Sequence, residues 1–172
     1  MFKPIAIAGL LAVTTAAAPS VVAAVEGEQR EIPSMAGSWT GTGFVQKDET
    51  SKPMKVRCQV EGLHAGNEIG FEGVCRAMMI FRRPIGAKLI QEGDRLTGTY
   101  TGSDLGVADL DGALEEGRTA VLTMTFPREI HGDAEAVMTI HRPSDEEFTI
   151  TTTDIMSTGE ELTTSQITFA RK

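Results

Sequence analysis

The chain has 172 residues and a formal net charge of -8, from 16 basic and 24 acidic residues. That is one domain's worth of chain. Its acidic surface repels nucleic acid and anionic membranes.

The first 24 residues read as a leader. Lys3 supplies a positive start, residues 5–18 are apolar, and Val22-Ala23-Ala24 offers small residues for cleavage. This pattern predicts a secretory signal peptide over 1–24, cleaved near Ala24, and a mature chain in a bacterial periplasm. No later segment is apolar for long enough to span a bilayer. Residues 25–36 are polar, lack a period and carry Pro33. They are expected to form an N-terminal arm outside the domain, whose loss would hardly change the melting temperature. The domain itself is placed at 37–172.

From Ser38 onward the apolar pattern has period two. Ala120, Leu122, Met124 and Phe126 share one face, and threonines dominate the other. Ala136, Met138 and Ile140 alternate with polar neighbours, as do Phe148 and Ile150. Turn signals recur about every ten residues. Candidate strands are 38–46, 54–61, 68–78, 85–91, 94–101, 107–114, 118–126, 134–142, 146–154 and 163–171. One apolar and one wet face mark an antiparallel sheet. The fold class is therefore all-β: one antiparallel up-and-down barrel of about 8–10 strands, with a β-sandwich as the alternative.

Cys58 and Cys75 fall on the inward faces of the second and third strands. Folding at residues 63–67 would bring them together, and in an oxidising compartment such a pair is expected to be a disulfide. In the last strand Ile167 and Phe169 set the inner face, so Arg171 also points inward. Trp39, the only tryptophan, opens the first strand. The expected contact is a cation–π stack of Arg171 on Trp39.

With Gly37-Ser38-Trp39 near the start and Arg171 at the end, the chain resembles the calycins, the superfamily of lipocalins and related small β-barrels. The resemblance implies a barrel that binds a small hydrophobic or amphipathic ligand without catalysis. Leu96-Thr97-Gly98-Thr99-Tyr100 is similar to an avidin strand, but one tryptophan is too few for a biotin site. The arm, the Gly-x-Trp and the early cysteine pair also resemble a small periplasmic barrel that inhibits proteases. That likeness implies a rival function, binding an envelope protein through residues 25–35. A structural envelope role is the third reading.

No zinc-ligand spacing, serine elbow or phosphate loop is present, so neither a metal nor a cofactor is expected. His64 and His131 are placed in loops and His141 at a strand end. The stretch from Arg76 to Pro84 concentrates three arginines beside Met78, Met79 and Phe81. Pro84 is expected to end the strand. An apolar lip with a cationic rim suits an amphipathic anion such as a fatty acid. The candidate ligand-binding residues are Trp39, Phe71, Met79, Phe81, Arg82 and Arg83.

Overall fold

The computed structural model describes residues 32–78, 80–115, 118–130 and 132–172. The expected signal peptide, residues 25–31 of the arm, Met79 and His131 lie outside the described residues. The described residues form ten strands: β1 (Gly37–Val45), β2 (Met54–Ala65), β3 (Glu68–Ala77), β4 (Phe81–Glu92), β5 (Arg95–Ser103), β6 (Gly106–Glu115), β7 (Thr119–Ile130), β8 (Asp133–His141), β9 (Glu147–Ile155) and β10 (Glu161–Arg171). Each strand pairs antiparallel with the next. β1 pairs with β10 from Trp39↔Arg171 to Val45↔Ser165, closing the barrel. The continuous seam excludes the sandwich, which would leave two pairs of edges. Among the described residues no helix is long and apolar enough to cross a membrane.

Period-two patterning decides which way each side chain points. On β2, Val56, Cys58 and Val60 are buried while Lys55, Arg57 and Gln59 are exposed. Leu96, Leu122, Met138, Phe148 and Phe169 meet in the middle of one core. The outer face is rich in threonine and charge, the reverse of a lipid-facing barrel. The strands coil tightly enough that some inward positions have no room for a side chain. A Cβ at Gly73 would lie 2.0 Å from the Gln59 carbonyl oxygen.

Two local expectations change. Pro84 lies within β4, which begins at Phe81. The β4–β5 ladder starts only at Gly86↔Thr101, so Pro84 occupies a stretch without a partner strand on that side. A proline, lacking an N–H, is tolerated there. His64 belongs to β2 and not to the turn, which is formed at Gly66-Asn67.

Cys58 and Cys75 are direct register partners across β2 and β3, with their sulfurs at disulfide distance. The bridge closes a loop of sequence separation 17. Reduction should therefore lower the unfolding free energy by about 3 kcal/mol. Urea melts with and without dithiothreitol check this. A midpoint unmoved by reductant would show that the bridge does not form.

Candidate functional site

The end of the barrel that carries Trp39 is closed by the chain's own residues 32–36. This overturns the expectation for that part of the arm. Met35 is buried, and its carbonyl oxygen accepts a 2.9 Å hydrogen bond from Trp39 Nε1. The Ile32 N–H donates to Gln91 Oε1 at 3.2 Å. Gly62 makes room for the segment, since a Cβ there would sit 1.7 Å from the Met35 carbonyl oxygen. The physical reason is that apolar Ile32 and Met35 cover a mouth that would otherwise be wet, and two arginines satisfy the segment's carbonyls.

Arg142 is the first of these. It is 3% exposed, at the end of the inward row Ala136, Met138 and Ile140. Its Nε donates to Ser144 O at 3.0 Å, its Nη2 to Asp145 O at 3.1 Å, and its Nη1 to Pro33 O at 3.0 Å and also to Ser34 O. The Asp145 carboxylate stands 3.7 Å from Nη2 but is itself exposed. Burial lowers the guanidinium's pKa from its very high ordinary value, and Asp145 opposes that shift. Arg171 is the second. It lies 4.3 Å from the Trp39 ring centroid and donates to Ala36 O at 2.8 Å. Arg142 approaches the same ring at 5.5 Å. Arg118 completes the rim, 3.3 Å from Asp145.

Below this lid the core is aromatic. Trp39 meets Phe148 edge-on at 4.9 Å, and Phe148 stacks on Phe169 at 4.6 Å, with Phe71 beside both. The cavity left under residues 32–35 measures about 30 Å³. That holds a water or two and no organic ligand. With residues 32–35 in place, the space at this end of the barrel is therefore filled.

The candidate ligand residues do not make one site. Trp39 and Phe71 belong to the core at the closed end. Phe81 flanks the opposite tip of the β3–β4 hairpin, about 13 Å along the strands from the level of Trp39 and about 20 Å from that of Phe71. Strand parity also separates the two neighbouring arginines. Arg82 points outward opposite Arg76, whereas Arg83 turns to Asp104 at 2.7 Å. Close by, burial raises the Tyr100 phenol's pKa, and Arg83 opposes the shift. On the outer face of β1–β3 an open groove of about 830 Å³ runs past Thr42, Lys55, Arg57 and Arg76. His141 is exposed, with Nδ1 2.9 Å from Thr119 Oγ1. Among the described residues no three His, Cys, Asp or Glu side chains converge as metal ligands would.

Sequence reasoning missed Arg142. Continuing the inward count 136, 138, 140 by one step would have found it, but Arg142-Pro143 reads locally as the start of a turn.

No protein-family model matches the chain. No curated protein matches it either. Among solved structures, the S-type phycobiliprotein lyase CPES from Guillardia theta is similar, with a TM-score of 0.54 and 14% identity over 80% of this chain and 88% of that one. At that identity the likeness is one of fold alone.

Proposed function

We propose that the protein is an exported, non-catalytic binding protein for a small amphipathic anion, taken up at the Trp39 end in place of residues 32–36. The observation that carries this reading is Arg142. It is a buried cation whose hydrogen bonds all run to main-chain carbonyls, two of them from the segment that fills the apolar mouth. The segment has the form of an amphiphile, with Ile32, Pro33 and Met35 toward the core and carbonyl oxygens on the guanidinium. A carboxylate would be a stronger partner for Arg142 than neutral carbonyls. The groups that converge there are arginines, which hold an anion but exchange no proton near neutral pH. The cysteine pair fits an oxidising compartment. Inhibition of a protease through residues 32–35 is disfavoured, because they are engaged with their own barrel.

Sodium dodecanoate, titrated below its micelle threshold with Trp39 fluorescence and calorimetry as readouts, tests the reading. Saturable binding is expected. Met35→Gly removes a buried side chain worth roughly 1.5–3 kcal/mol to the lid. Dodecanoate should then bind about tenfold tighter or more. Arg142→Gln should abolish binding. Absence of saturable binding in both the parent and Met35→Gly would sink the proposal.

A further inference from the structure

Arg57, Arg76 and Arg82 stand directly opposite one another across β2, β3 and β4. All three are exposed. Like charges on facing positions of a sheet repel, so the row has a cost. Among the described residues none of the three has an acidic partner within ion-pair distance, whereas neighbouring Arg83 is paired with Asp104. Arg76 reaches only as close as 3.5 Å to Gln59 Oε1. The next outward row, Gln59, Val74 and Pro84, is uncharged. Glu61 and Glu72 follow it, about 13 Å along the strands from the arginines. The Debye length is about 10 Å at moderate salt. A surface touching the row therefore meets local positive charge, although the chain as a whole is negative.

The hairpin tip beyond the row is apolar and wet. Met78, Ile80 and Phe81 are 65%, 78% and 55% exposed. Large apolar residues clustered in this way mark a contact surface more than isolated ones do. Lys55 lies beside them on β2, at the mouth of the outer groove. A soluble anion would neutralise the arginines and leave the tip in water. An apolar protein patch would cover the tip and leave the cations uncompensated. A bilayer with anionic headgroups meets both needs: the tip enters the headgroup boundary and the arginines take phosphates. We infer that the β3–β4 hairpin docks the protein on a membrane surface containing anionic phospholipid, without spanning it. This surface lies at the opposite end of the barrel from Arg142 and does not depend on a ligand there.

Flotation of the full chain with phosphatidylglycerol-containing vesicles, against vesicles of phosphatidylcholine alone, tests the inference. Binding is expected only to the anionic vesicles and should weaken as salt rises. Arg76→Gln combined with Arg82→Gln should lower partitioning on the order of twentyfold. Ile80→Ser combined with Phe81→Ser should lower it at least tenfold. These positions are exposed, and near-ultraviolet circular dichroism checks that each variant is folded. Arg142→Gln should leave vesicle binding unchanged. The inference is overturned if the parent does not bind, or if both variant pairs bind like the parent. It is also overturned if the arginine pair alone matters, which would point to an acidic macromolecule in place of a bilayer.

Discussion

Trp39→Ala should destabilise the protein by roughly 3–5 kcal/mol. The indole is 1% exposed and fills the space between Phe148 and the lid. Truncation opens a cavity, frees the Met35 carbonyl of its donor and removes the ring beneath Arg171 and Arg142. Trp39→Phe separates these terms. It keeps most of the ring and loses the N–H, and should cost nearer 1–3 kcal/mol. Arg171→Ala removes a contact worth up to roughly 2 kcal/mol and should shift tryptophan emission. Lys172→Ala is the control and should do neither. Urea denaturation followed by fluorescence and circular dichroism decides the matter, with circular dichroism serving the tryptophan-free variants. If Trp39→Ala unfolds within about 1 kcal/mol of the parent, the ring is not part of the core.

Arg142→Met should cost about 3 kcal/mol and should loosen the N-terminal segment more than the barrel. Methionine can fill part of the volume, but three carbonyl oxygens lose their side-chain donor, those of Pro33, Ser34 and Ser144, while that of Asp145 keeps the two it accepts from Arg171. A buried acceptor left without a partner costs about 1–3 kcal/mol, and water entering from the rim offsets part of the sum. Arg142→Lys should recover only a fraction, because one ammonium cannot reproduce the planar fork that serves both sides of the mouth. Hydrogen exchange gives the local readout. The Ile32 amide, which donates to Gln91, should exchange much faster in Arg142→Met, while amides in β6 and β7 follow global stability alone. Equal acceleration everywhere would mean that Arg142 supports the barrel in general and does not fasten the lid.

The ten strands were legible because alternation survives along most of them, although not throughout β10, where the register shifts between Thr163 and Ser165, and because turn residues break the pattern at even intervals. The same parity rule placed Arg171 inward, and one more step of it would have placed Arg142. The lid was not legible. Residues 32–36 have no period, and their position is set by Gln91, Trp39, Arg142 and Arg171, of which the two arginines lie more than about a hundred residues away. The filled space beneath the lid was not legible either. Interior space depends on how tightly neighbouring strands coil, and alternation says which side chains point inward without saying how much room they find. The separation of Arg82 from Arg83 follows from parity, but only once β4 is known to begin at Phe81 and not after Pro84.

The order of strands around the barrel also bears on how the chain reaches this state. Nine of the ten ladders join consecutive strands and can form as hairpins, at microsecond cost. The tenth joins β1 to β10, whose partners Trp39 and Arg171 are about 130 residues apart. Until it closes, both outer strands are open edges in a chain rich in β-forming residues. Closing the seam is thus the step that carries the largest loop entropy and ends the exposure to aggregation. The Trp39–Arg171 contact sits on that seam and can form only once the ring is shut, so the indole is a natural reporter of the last event in folding.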